Sequence, residues 1–142
     1  MERDFLEYTE ALKLKELGFD EPCFGQFYKH PSQEKEEFRL FKDCDWENRT
    51  TSYWAKNISS HFVSTPTYSQ CYRFFREKHN LITYIGWVYK KTKGIDWFFN
   101  IKGIEMINNN VLPHNEIRFN TYEEAELECL KKLIEIVKRK VV

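Results

Sequence analysis

The sequence predicts an α+β fold: two helix–hairpin (αββ) units and a C-terminal helix, with a roughly four-stranded antiparallel sheet packed by three helices. Three observations lead there. Helix-start signals recur ahead of segments with helical apolar period. Two pairs of β-rich runs are each joined by a polar or glycine-containing turn. Aromatic residues make up 17% of the 142, and 22 basic side chains balance 22 acidic ones. That composition belongs to a chain with a packed core, because disorder goes with few aromatics and high net charge. The length fits one domain, 1–142, with an irregular long loop at about 43–66.

Residues 5–17, FLEYTEALKLKEL, have helical spacing: Phe5, Tyr8 and Leu12 lie in period, and Ala11, Leu14 and Leu17 widen the face. Gly18 follows at the usual place of a left-handed cap. CFGQFYK and EFRLFK read as strands joined by the polar loop HPSQEKE. The stretch 43–66 is polar yet holds Trp46, Tyr53, Trp54 and Phe62. Loops of that length are uncommon inside a compact domain. A short strand around 59–63, partial disorder and a functional lid are the readings open for it.

Thr67 and Gln70 form a capping-box signal, in which each side chain satisfies the other's backbone N–H. The helix 67–79 then carries the apolar stripe Tyr68, Cys71, Tyr72 and Phe75, and Asn80 can close it in the left-handed region. LITYIGWVYKK and IDWFFNIKGIEM flank a short turn containing Gly94, a strong hairpin signal. Ile95, Trp97, Phe99 and Ile101 line one face of it. A short extended piece is expected at 116–119. Thr121 and Glu124 repeat the capping box before a helix at 122–140, with Ala125, Cys129, Leu133 and Ile136 in one row, widened by Leu130, Ile134 and Val137. Lys138, Arg139 and Lys140 suit the negative end of its dipole. The near-copies EYTE (7–10), TYSQ (67–70) and TYEE (121–124) are therefore architecture: each tyrosine follows a cap position. The two αββ units suggest an internal repeat, and independent use of the same capping chemistry explains the similarity as simply.

LKELGFDEPCFG (14–25), PTYSQCYRFFREKHNL (66–81) and TYEEAELECLKKLIEIV (121–137) resemble segments of small proteins without established activity from phages and prophages of gut Bacteroidetes. The resemblance covers about a third of the chain, in the helices and one turn. That family tends to have glycine where this chain has Asn80 and an aromatic where it has His79. The resemblance implies a viral or mobile-element origin and carries no catalytic residue with it.

Several chemistries are missing at the level of motif. The five glycines, at 18, 25, 86, 94 and 103, never cluster into a phosphate loop or dinucleotide fingerprint. There is no H-E-x-x-H and no G-x-S-x-G. Cys23, Cys44, Cys71 and Cys129 lack zinc-ligand spacing, and the last two belong to apolar helix faces. No cofactor, metal site or catalytic residue is expected. His30, His61, His79 and His114 read as solvated, and Asp43 and Asp45 as turn residues that bond their own backbone. The balanced charge argues against extended nucleic acid. No signal peptide and no membrane-length apolar run is present, so a cytoplasmic protein of the bacterial host is expected, and the sequons at Asn48 and Asn57 carry no weight there.

One constellation combines cations with aromatics. Arg73, Arg76 and Lys78 lie on the second helix; Lys90, Lys91 and Lys93 crowd the second hairpin turn; Trp87, Tyr89 and Trp97 sit on that hairpin. The simpler reading has these aromatics filling the core and the cations keeping the surface soluble. The sharper reading is a ligand site of Arg73, Arg76, Trp87, Tyr89, Lys90, Lys91 and Trp97, because cations neutralise phosphate and exposed rings stack on bases. The functional expectation is a small non-enzymatic binding protein of host takeover or anti-defence, which binds a host protein or sequesters a nucleotide signal. Sequestration predicts exposed Trp or Tyr beside Arg or Lys in a concave site at a homo-oligomer interface. Two alternatives stand beside it. A small nuclease or nucleotide hydrolase would draw on Asp43, Asp45, His61 and Arg73 converging in space. A structural or assembly protein would show a large exposed apolar patch and symmetric oligomers.

Overall fold

The structure, a computed structural model, describes residues 2–40, 62–103 and 117–141, and within them the chain is α+β with three α-helices and two small antiparallel sheets. After a 3₁₀ turn at Glu2–Asp4 come α1 (Tyr8–Glu16), β1 (Gly25–Tyr28), β2 (Glu37–Leu40), β3 (Phe62–Thr65), α2 (Tyr68–His79), β4 (Leu81–Tyr89), β5 (Ile95–Gly103) and α3 (Tyr122–Val141). The chain divides into two compact units, Met1–Cys71 and Tyr72–Val142.

All three helices begin at the tyrosine of the recurring segment. At α2 the capping box is complete: Gln70 N–H donates to Thr67 Oγ1 at 3.3 Å, and Thr67 N–H to Gln70 Oε1 at 3.1 Å. At α3 Glu124 N–H donates to Thr121 Oγ1 at 3.2 Å, but the returning carboxylate takes the N–H of Asn120 at 3.0 Å, one residue earlier than the motif expects. α1 starts from Glu7 without a side-chain cap, three residues later than the apolar spacing suggested. Phe5 is instead extended and forms a bridge with Thr67. The helix ends follow local chemistry as well. Gly18 lies at φ 87°, with its N–H to Lys15 C=O and the Phe19 N–H to Leu14 C=O, a Schellman closure whose apolar ends, Leu14 and Phe19, are buried. Asn80 lies at φ 54° directly after α2.

In the first unit β1 is the central strand. It pairs with β2 (Gly25↔Leu40 to Tyr28↔Glu37) on one side and with β3 (Gly25↔Thr65 to Tyr28↔Phe62) on the other. The buried Leu6, Ala11, Leu14 and Val63 bring α1 against β3. Thr65 Oγ1 donates to the Leu6 carbonyl at 2.8 Å, which satisfies both groups away from water. Gly25 has no room for a side chain: a Cβ would come within 2.8 Å of the Phe5 ring.

In the second unit β4 and β5 form a nine-pair ladder from Leu81↔Gly103 to Tyr89↔Ile95. α3 packs on it through Ala125, Cys129, Leu130, Leu133 and Val137, all nearly inaccessible. The expected four-stranded sheet is corrected among the described residues to a three-stranded and a two-stranded sheet. β3 takes the second edge of β1, so β1 has no edge left for the later hairpin. β3 is the short strand expected near 59–63, shifted to Phe62–Thr65. The extended piece expected at 116–119 appears as a single bridge of Phe119 to Trp97.

Candidate functional site

The β4–β5 hairpin carries most of the cation–aromatic set. Its turn closes through Lys90 N–H to Gly94 C=O at 2.9 Å, with Gly94 at φ 98°. The ladder register puts Leu81, Thr83, Ile85, Trp87 and Tyr89 on one face with Ile95, Trp97, Phe99 and Ile101. This is the face that α3 covers, and it does so only in part. Phe99, Ile101 and Leu81 are buried. Trp97 is half-buried under Tyr122, the first residue of α3, with ring centroids 5.3 Å apart at 83°. Trp97 and Phe119 exchange two backbone hydrogen bonds of 2.9 Å, which fix the entry of the chain into α3. Because the helix begins there, Trp87 and Tyr89 lie beyond it. Trp87 is 50% exposed and Tyr89 78%. Their rings meet edge to face, 5.0 Å apart at 79°.

The expectation that Trp87, Tyr89 and Trp97 fill the core therefore holds partly for Trp97, and not for Trp87 or Tyr89. Lys90 is half-buried and ion-paired with Asp96 at 3.0 Å. Lys91 and Lys93 are exposed in the turn. Arg73 and Arg76 are exposed too, but on α2 rather than on the hairpin. Tyr72 Oη donates to the Glu126 carbonyl at 2.7 Å, and the charge of Lys140 acts on His79. Arg73 directly follows Tyr72 along α2, and Arg76 lies one turn further on. The structure thus joins Trp87, Tyr89, Trp97, Lys90 and Lys91 on one hairpin and leaves the two arginines on a separate element.

Sequence reasoning missed two features. His79 is not solvated: its ring packs against Phe74 and Phe75 at 5.1 and 5.8 Å, and its Nε2 is buried with no hydrogen-bond partner among the described residues. Burial, and then the charge of Lys140, lower its pKa. Its place beside a run of aromatics was the available signal. On the outer face of the hairpin, the Arg118 guanidinium lies 5.4 Å from the Phe98 ring centre, and Phe98 lies 5.9 Å from Tyr84. The extended piece expected at 116–119 did not indicate what it meets.

Among the described residues no cluster of three metal-ligating side chains exists, and no helix is long and apolar enough to cross a membrane. Cys23, Cys71 and Cys129 are buried. Burial pushes the thiols of Cys23 and Cys129 up to about 12, against the reactive thiolate range. His30 is exposed, with Nδ1 2.5 Å from Ser32 Oγ. Asp43, Asp45, His61 and His114 lie outside the described residues, as does most of the 43–66 loop. Comparison with protein-family models, curated proteins and solved structures gives no match, so function is argued from the site itself.

Proposed function

We propose that this chain is a small non-enzymatic binding protein of phage or prophage origin, and that its recognition surface is the tip of the β4–β5 hairpin. The observation that carries this reading is the exposure of Trp87 and Tyr89 in mutual contact, next to Lys91 and Lys93. Exposed large aromatics on a rigid strand supply contact area at little entropic cost, which is why they concentrate at recognition surfaces. Of the two ligand classes considered, a host protein and a nucleotide signal, the lysine-flanked rings favour the nucleotide. A base stacks on the open face of Tyr89 or Trp87, and the turn lysines meet its phosphate. The Lys90–Asp96 pair leaves Lys91 and Lys93 as the better phosphate contacts of the turn.

A thermal-shift screen against mono-, di- and cyclic nucleotides tests this. A ligand at a hundred times its Kd adds about 2.7 kcal/mol, worth roughly 5–20 °C for a domain of this size. A shift for one phosphate-bearing class, removed by Tyr89→Ala and by Lys91→Ala/Lys93→Ala, is the expected result. A flat screen refutes nucleotide recognition for the compounds tried. A pull-down from host lysate comparing wild type with Trp87→Ala/Tyr89→Ala then tests the host-protein reading at the same surface.

A further inference from the structure

The edges of the described sheets are guarded, with one exception. β2 is four residues long and carries Glu37 and Arg39, ion-paired at 2.9 Å. β3 is also four residues long. The outer edge of β5 is bridged by Phe119 at Trp97, and β5 carries Asp96 and Lys102. β4 is nine residues long, LITYIGWVY, with no charge and no proline. Its register with β5 is continuous over nine pairs, so no bulge twists the edge away. Among the described residues it pairs with β5 alone. About half of its residues turn N–H and C=O away from β5. Soluble proteins blunt such edges with charge, proline, shortness or a bulge, because a bare edge templates another strand. β4 has none of these devices.

We propose that the edge of β4 pairs antiparallel with β4 of a second copy of this chain, about a two-fold axis at Ile85, which joins the two hairpins into one continuous four-stranded sheet. This register sets Leu81 opposite Tyr89, Ile82 opposite Val88, Thr83 opposite Trp87 and Tyr84 opposite Gly86. No charged residue meets another, so neither copy leaves a charge stranded. Tyr84, the bulkiest exposed group on the outer face, falls opposite Gly86. The rings of Tyr84 and Phe98 from its own chain already cover Gly86, each within 2.7 Å of where a Cβ would stand, so the incoming Tyr84 packs against those rings and not into an open space.

The area is adequate. Ile82, Tyr84, Trp87 and Tyr89 are 58%, 62%, 50% and 78% exposed. At 150–250 Å² per aromatic side chain, these four offer roughly 500 Å² per copy. The backbone edge brings this toward the ~800 Å² per partner of a standard interface. An uncharged edge suits a copy of itself better than an acidic or phosphate-bearing partner. The antiparallel arrangement places the two hairpin tips at opposite ends of the joined sheet, with the turn lysines outside the pairing. The pairing and the proposed base stacking both draw on Trp87 and Tyr89, so the edge is tested on the chain without ligand.

Sedimentation of the full chain from about 1 to about 100 µM brackets the micromolar constants of weaker interfaces. It is combined with hydrogen exchange over 81–89 at both extremes. The expected result is a dimer whose β4 amides gain protection as concentration rises. Ile82→Lys/Tyr84→Lys, two changes at exposed positions of the outer face, is expected to be monomeric throughout with an unchanged circular dichroism spectrum. Should that variant misfold, Tyr84→Lys alone and the concentration dependence of exchange in wild type decide the matter. A wild type that stays monomeric overturns the proposal. If its β4 amides are protected at every concentration, another segment of the same chain occupies the edge. A dimer that survives the lysine substitutions with β4 still exchanging places the contact elsewhere and equally overturns it.

Discussion

Tyr89 and Phe99 belong to the same face of the same hairpin, ten residues apart, and truncating each to alanine should have consequences of very different size. Phe99 is 4% exposed beneath α3, whereas only about a fifth of Tyr89 is covered. A side chain of 150–250 Å² that is one-fifth covered buries about 40 Å², worth about 1 kcal/mol at 25 cal/mol per Å². A buried phenylalanine costs about 3–5 kcal/mol when truncated, since the transfer term is joined by a cavity. For a domain of this size the difference amounts to roughly 5–15 °C in Tm. Thermal and urea unfolding followed by far-ultraviolet circular dichroism, at a protein concentration low enough to suppress association, measures both. Phe99→Ala is expected to lose several times more stability than Tyr89→Ala. If Tyr89→Ala costs as much as Phe99→Ala, the tip is part of the core, and its assignment as a recognition surface fails.

Two further outcomes follow from the same structure. Gly18→Ala meets no atom within 4 Å of the new Cβ, so its effect isolates the backbone at φ 87°. A left-handed alanine costs about 1–2 kcal/mol, offset by about 0.4–1 kcal/mol of lost unfolded-state entropy, so a net loss near 1 kcal/mol is expected in urea titration, and a gain would contradict the Schellman closure. His79 has a folded-state pKa below its ordinary 6.5, caused first by burial and then by Lys140. The unfolded chain therefore takes up the proton first, and stability contributed by the neutral ring is full above about 6.5 and declines as pH falls toward the lower folded value. His79→Phe keeps a ring against Phe74 and Phe75 but does not titrate, so denaturation at pH 7.5 and pH 5.5 should show a smaller acid loss for the variant than for wild type, and equal losses would refute the assignment.

Where the sequence was legible, the reason is that the interactions concerned are local. A threonine and a glutamine three apart satisfy each other's N–H groups whatever surrounds them, so the start of α2 could be placed at Tyr68. Gly18, Asn80 and Gly94 supply the left-handed conformations at the ends of α1 and α2 and at the hairpin turn, because few residues adopt them cheaply. Alternation in 81–89 and 95–103 announced a hairpin, and the register followed from the turn. The start of α1 was read three residues early because Phe5 continues its apolar spacing, and only the bridge to Thr67 takes Phe5 out of the helix.

The candidate site was legible as a set of residue types and not as a place. Period-two patterning says that Trp87, Tyr89, Trp97 and Phe99 share a face, but it treats both ends of that face alike. Tertiary structure decided which end is covered, because α3 begins at Tyr122 over Trp97 and leaves the strand beyond it in water. The pairing of β1 with β3 was likewise invisible, since it joins residues nearly forty apart whose attraction depends on a closed loop and not on neighbouring residues. By itself the sequence determined where helices start, where they stop and where the chain turns, all through contacts spanning a few residues. Only the tertiary structure decided how the strands divide between two sheets and which aromatics meet solvent, because those outcomes depend on which long-range surface reaches each side chain first.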